Sequence, residues 1–237
     1  MRYFSIDNFI DKDLCEKLIK SSDIHNFSKS KTFIHGQRQF ISSSEEEFHN
    51  LLNNSEEWRE LEKKINSSNF LEFCLKKLEI NDKKFSLVNF FNYKDFSNIQ
   101  KLYKKISSTK NKLIPTKTLI KYCILRVYRD ILRKIKFSKI FYPKKSAIEL
   151  LYDYSKAGNG YTREIHRDSD NRLIVFILYL NAPSKSDNHS GGDFDIYKLI
   201  SGEKDIAQPD VKNCAKIKNI KPEAGKLIVF LNENESF

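Results

Sequence analysis

No run in this chain approaches the roughly 20 consecutive apolar residues that a membrane-spanning helix needs. The opening residues, Met1 to Asp7, lack the apolar core of a secretory signal, so no export signal is read there. Cysteine is sparse and scattered: Cys15, Cys74, Cys123 and Cys214 form no CxxC pair. That spacing argues against disulfide and zinc roles and suits buried free thiols in a reducing compartment, with the cytoplasm as the expected location. Glycine (7) and methionine (1) are also few beside abundant Lys, Asn, Ile and Phe, which we read as coding bias. Internal repeats, a low-complexity tail and nucleic-acid-binding motifs are all missing.

What is present is a globular composition. The 237 residues are 40% hydrophobic and 13% aromatic, enough to bury a sizeable core as one large domain or two small ones. The net charge is +11, unevenly spread. Lys94 to Glu149 holds sixteen Lys or Arg and only Asp95, Asp130 and Glu149 as acids, so the rest of the chain is slightly acidic. The basicity belongs to one segment.

Hydrophobic spacing divides the chain in three. Residues 1–93 read as helices leading into a strand. Asp13 to Glu16 has the pattern of a capping box, with Leu14, Leu18 and Ile19 behind it. Ser44 to Glu47 is a second such start, ahead of Phe48, Leu51 and Leu52. Trp58, Leu61 and Ile65, then Leu71, Cys74, Leu75 and Leu78, continue at helical spacing. Phe85 to Tyr93 reads as a strand. Residues 94–145 are basic, and Thr116 to Phe137 predicts an amphipathic helix. Its stripe of Ile120, Ile124, Val127, Ile131 and Ile135 is expected to pack on the core, leaving Lys117, Lys121, Arg126, Arg129 and Arg133 solvated. A docking surface for an acidic partner, anionic lipid or nucleic acid is the rival reading. Residues 146–237 read as strands: Ala147–Tyr154, Tyr161–Asp168, Arg172–Leu180, Gly192–Leu199, Ile217–Ile220 and Lys226–Leu231. Short strands at near-regular spacing suggest a sandwich or barrel.

His166-Arg167-Asp168 is the tripeptide with chemical potential. On an extended strand, residues i and i+2 share a face, so the imidazole and the carboxylate could reach one point. A carboxylate with two imidazoles is the facial triad of non-haem iron(II) oxygenases, which leaves positions open for cosubstrate and oxygen. A surface His/Asp pair is the bland alternative.

The surroundings of the tripeptide carry a resemblance. The stretch Tyr161 to Asp168, then Arg172 to Asn181 (RLIVFILYLN), then Gly191-Gly192-Asp193-Phe194, then Pro222 to Phe230, resembles the prolyl-hydroxylase-like branch of the 2-oxoglutarate/Fe(II)-dependent dioxygenases. Asp7 to Ile10 and Cys15 to Ile19 resemble the helical lead-in of that family. The likeness is strong over 147–237, weaker over 1–93 and absent over 94–145, which reads as a lineage-specific insertion. It implies a single α+β domain over 1–237: a double-stranded β-helix (jelly roll, cupin-like) at 146–237, N-terminal helices packed on the sheet, and a basic helical insertion. It implies His166 and Asp168 as iron ligands, and Tyr179 and Tyr154 as hydroxyls contacting 2-oxoglutarate, with Tyr152 a rival for Tyr154. Gly191 and Gly192 would let a strand start tightly against the site. The implied cofactors are Fe(2+) and 2-oxoglutarate, with ascorbate keeping the iron reduced, and the implied co-products are succinate and CO2.

Substrates in the family range from peptidyl-proline to amino acids, lipids and sugars, and the basic segment suits an acidic one. By the family's spacing, the distal histidine and the cosubstrate-binding arginine are expected beyond Phe237, so the sequence reads as a C-terminally truncated copy with little activity of its own. His189 is the weaker internal substitute. His25, His35 and His49 read as surface or structural. A non-catalytic jelly-roll binding module, a cupin-type sugar isomerase and an adaptor built on the basic helix are the competing readings.

Overall fold

The structure is a computed structural model describing residues 2–23, 28–29, 38–43, 45–81, 85–87, 116–136, 146–157, 161–168, 172–182, 192–203 and 207–232. In chain order its elements are β1 (Tyr3–Ile6), α1 (Lys12–Ser22), β2 (Ser28–Lys29), β3 (Arg38–Ser42), α2 (Glu46–Asn54), α3 (Glu56–Ile65), α4 (Ser68–Lys77), β4 (Phe85–Leu87), α5 (Thr116–Lys136), β5 (Ser146–Ile148), β6 (Asp153–Ala157), β7 (Ile174–Leu178), β8 (Phe194–Leu199), β9 (Cys214–Ile220) and β10 (Leu227–Leu231).

The helices form where the spacing predicts them, but their starts lie elsewhere. Asp11, not Asp13, caps α1: its carboxylate accepts from the Leu14 amide at 2.7 Å. Asp13 sits in the first turn, where a negative charge faces the positive helix end and pairs with Lys17 at 2.7 Å. Glu45 takes the cap position of α2, and Ser44 lies outside the described residues. Ser55 and Ser67 cap α3 and α4 by accepting from Trp58 and Phe70 amides. Cys15 and Leu18 of α1, Phe48 and Leu51 of α2, and Trp58, Leu61 and Ile65 of α3 close one core cluster, joined by Ile41 of β3. The Trp58 indole N–H donates to the Leu18 carbonyl at 3.0 Å, so the largest core side chain leaves no polar group unsatisfied there.

β10 is the middle strand of a three-stranded antiparallel sheet, between β1 and β7. Its side chains alternate between two environments. Leu227, Val229 and Leu231 pack with Cys74 and Leu78 at the end of α4, while Ile228 packs with Ile196 of β8 and Ile220 of β9. Leu227, Ile228 and Val229 have no solvent exposure. A strand covered on both faces reads as a continuous apolar run, as this one does. The β8–β9 hairpin, with a bulge between Ile196 and Tyr197, therefore covers one face of the sheet and the helices the other.

Gly225 sets the turn into β10. Its φ is +82°, and a Cβ there would lie 2.0 Å from the Ile10 carbonyl oxygen. Its own carbonyl accepts from the Phe9 amide, and its amide donates to the Tyr179 carbonyl, both at 2.8 Å. The N-terminal segment is thereby clipped to the turn.

Several expectations are corrected. Ala147–Tyr154 is not one strand. β5 pairs in parallel with β4, and β6 pairs antiparallel with β3, so the chain changes partners between Ile148 and Asp153. Tyr161–Asp168 is not a strand among the described residues, because no neighbour runs alongside to complete its ladder. The described strands form four separate sheets, with helices and mainly antiparallel pairing, and no closed barrel. Of the expected Phe85–Tyr93 strand, only Phe85–Leu87 is described. The stripe of α5 is not packed on the core: Ile120, Ile124, Val127 and Ile131 are exposed. The cysteines are free, with Cys15 and Cys74 buried as expected but Cys123 exposed.

Gly225→Ala should lower folding stability by about 3 kcal/mol, since left-handed strain adds to a collision with backbone. Urea denaturation would show this as a lower midpoint; an unchanged midpoint would mean the Ile10–Gly225 contact gives way cheaply.

Candidate functional site

The His166–Asp168 segment leads toward β7 and is held by its backbone. The Arg167 amide donates to the Ala207 carbonyl at 2.8 Å. From the end of β10, the Asn232 amide group reaches across and donates to the Asp168 carbonyl at 3.3 Å and the Arg172 carbonyl at 3.1 Å. The Asn232 backbone N–H donates to Leu173 at 3.1 Å. One asparagine thus ties the C-terminal end of the segment to the central strand.

This brings His166 Nε2 to 4.0 Å from Asp168 Oδ1, with both side chains largely covered. The spacing is too long for a hydrogen bond and leaves both groups pointing at shared space. The Glu164 carbonyl lies 2.8 Å from His166 Nδ1 and can only accept, so Nδ1 carries the proton and Nε2 presents a lone pair. Arg163 Nε donates to that lone pair at 2.8 Å; its longer approach to Nδ1, 3.4 Å, is a neighbour contact, because a protonated Nδ1 cannot accept. Arg172 pairs with Asp168 Oδ1 at 2.9 Å. Each potential metal donor therefore faces a guanidinium, a cation already standing where donors of this kind draw one.

Arg163, Arg167 and Arg172 line an open cleft of about 420 Å³ with His166, Asp168, Ala207 and Gln208. Three guanidiniums against one carboxylate make it an anion-attracting surface. A neutral imidazole and a carboxylate suit a ferrous ion as two members of a donor set. Among the described residues, no three His, Cys, Asp or Glu side chains gather in one place.

The tyrosines lie elsewhere. Tyr179, one residue past β7, packs with Ile196, Ile220 and Ile228 on the hairpin side of the sheet. Its hydroxyl donates to the Gly192 carbonyl at 2.9 Å, and Gly192 holds φ +78° there. Burial, with the nearby Asp193 carboxylate adding to it, pushes the Tyr179 phenol up to about 12. Tyr154, on β6, faces the helical core instead: Ser22 Oγ donates to its hydroxyl at 2.9 Å and its ring meets Trp58 at 4.8 Å. Burial raises its phenol as well. Tyr152 donates to the Glu62 carboxylate, and burial with that charge raises its phenol. The structure thus brings His166 and Asp168 together and directs Tyr179 and Tyr154 to other surroundings. His49 lies on α2, while His25, His35, His189 and Gly191 fall outside the described residues.

Residues 151–236 match the profile of the 2OG-Fe(II) oxygenase superfamily. The match covers less than half of the chain and shows a likeness to that superfamily over this stretch. The comparisons with curated proteins and with solved structures give no match. The matched stretch contains the His-x-Asp pair, the arginine cleft, Tyr179 and Asn232, and the helices α1 to α5 precede it. Sequence reasoning missed Arg163, Arg172 and Asn232. Arg172 at i+4 from Asp168 was a usable signal, whereas nothing local marks Asn232.

Asn232→Leu should cost about 1–2 kcal/mol by stranding two carbonyls, and hydrogen exchange should show faster exchange of the Arg167 amide. An Arg167 amide as protected as before would remove that tie from the account. Alkaline pH supplies a second check. The unfolded Tyr179 phenol ionises near 10.0 and the folded one near 12, so its contribution is complete below pH 10 and is lost as pH rises through 12. Tyr179→Phe should flatten that part of the stability profile; an identical alkaline slope in both proteins contradicts the assignment.

Proposed function

We propose that this chain is an Fe(II)- and 2-oxoglutarate-dependent dioxygenase in which His166 and Asp168 supply two of the iron ligands. The observation that carries this is the approach of His166 Nε2 to Asp168 Oδ1, at 4.0 Å, in an arginine-lined cleft. The β1-β10-β7 sheet and the β8–β9 hairpin meeting through Ile228, Ile196 and Ile220 support a double-stranded β-helix for 146–237. Residues 1–93 and the basic 94–145 segment complete one domain in this reading.

When bound, iron and 2-oxoglutarate would activate dioxygen as the oxidant, one oxygen atom going to succinate, formed with CO2, and the other to the substrate. The chain's own side chains do the positioning. The Glu164 carbonyl keeps the Nδ1 proton in place, so His166 offers Nε2. Arg163 must leave Nε2, and Arg172 must leave Oδ1, before those atoms can hold a metal. Once displaced, both guanidiniums remain available to balance the dicarboxylate cosubstrate. Tyr179 is assigned by motif order as the hydroxyl that contacts 2-oxoglutarate, a role that requires it to leave the Gly192 carbonyl it now bonds. Tyr154 has a packing role, since its hydroxyl meets Ser22 within the helical core. The hydroxylated substrate is peptidyl-proline or another small or polymeric molecule of acidic character, ascorbate maintains the reduced iron, and the cytoplasm is the working compartment.

One observation favours a second reading, a binding module without turnover: only two donors gather among the described residues. Fe(II) titration and succinate release by the intact protein separate the two. The enzyme reading expects Fe(II)-dependent succinate formation that falls about 100-fold or more in His166→Ala and in Asp168→Ala. Iron binding without succinate supports the module. Iron affinity unaffected by either substitution defeats both.

A further inference from the structure

The most apolar face of α5 is the one that solvent reaches. Ile120, Ile124, Val127 and Ile131 recur at helical spacing and are 53%, 62%, 58% and 50% exposed, with Tyr128 beside them at 59%. Thr118, Tyr122 and Leu125, on another face, are the partly covered residues. Single exposed apolar side chains are ordinary on a protein surface, but a contiguous stripe along a helix marks a contact surface.

Charge identifies what this surface fits. The helix holds seven Lys or Arg and a single acid, Asp130. Among the described side chains Lys117, Lys121 and Arg126 are exposed, with Arg126 turned away from the stripe and Lys117 and Lys121 along its margin. A second copy of the chain would set two strongly cationic helices against each other. A nucleic acid would take the basic side and leave the isoleucines in water. An anionic lipid leaflet satisfies both sides at once, and Lys and Arg stems can extend from the acyl boundary to the phosphates. No described helix is long and apolar enough to cross a membrane, so the fit is to a helix lying flat.

We propose that α5 docks the protein on bilayers rich in anionic phospholipid, with the Ile120–Ile131 stripe at the acyl boundary and its Lys and Arg side chains among the head-group phosphates. Docking does not depend on iron or on turnover.

Cys123, exposed on α5, offers a native place for an environment-sensitive dye, because Cys15 and Cys74 are buried; Cys214→Ser removes the remaining competitor. The full chain so labelled should co-sediment with mixed phosphatidylserine–phosphatidylcholine vesicles, with a blue-shifted dye. It should bind pure phosphatidylcholine vesicles about tenfold more weakly or worse. Ile124→Gln with Ile131→Gln should weaken binding to the mixed vesicles about tenfold while leaving the melting temperature unchanged, since both side chains are exposed. Lys121→Gln with Arg126→Gln should weaken it by a similar factor and flatten its salt dependence. Equal binding to neutral and anionic vesicles, or glutamine pairs that change nothing, overturns the proposal. So does a dimer in light scattering that the isoleucine substitutions dissociate while vesicles stay unbound, which would make a second copy the occupant.

Discussion

Leu227 to Leu231 are buried from two sides at once, and most of the molecule is arranged around that burial. Odd-numbered side chains of the strand face the helices, and Ile228 faces the β8–β9 hairpin. Burying an aliphatic side chain contributes about 1.5–3 kcal/mol, while ordering each backbone residue costs about 1–2 kcal/mol. A strand covered on one face only would come near balance, so the second cover is what makes this one a stable centre. Its hydrogen-bond partners are β1, from the start of the chain, and β7, which directly follows the His-x-Asp segment.

The candidate site inherits its geometry from that strand. His166 and Asp168 are not in a ladder of their own. They are positioned by Asn232, the residue immediately after β10, and by Ala207 ahead of β9. An irregular segment tied to rigid elements at a few points can hold a donor pair and still let its surroundings rearrange. That suits a pair whose present partners, Arg163 and Arg172, would have to move aside for a metal.

Positive charge is concentrated twice, in different ways. In the cleft, three arginines line the same space as one carboxylate, the arrangement for holding a small anion. Along α5 exposed cations flank an exposed apolar stripe, the arrangement for an extended anionic surface. The net charge of +11 is the sum of local designs, and the overall figure reports neither.

The sequence by itself determined what depends on near neighbours. Period-3.6 spacing marked α1 to α5, continuous apolar runs marked β7 and β10, and the i, i+2 spacing singled out His166 and Asp168 as a pair. The motif order also marked the stretch that matches the oxygenase superfamily, residues 151–236. Cap positions slipped by a residue or two because several polar residues near each start could serve. Only the tertiary structure decided the remainder. Tyr161–Asp168 is no ladder strand, since that state needs a neighbour the local pattern cannot supply. The α5 stripe faces outward because amphipathicity defines an apolar face without naming what covers it. Tyr154 joins Ser22, and Asn232 joins Asp168, across separations of 132 and 64 residues. Such contacts follow from how distant elements pack, and a local pattern of residue types carries no record of that packing.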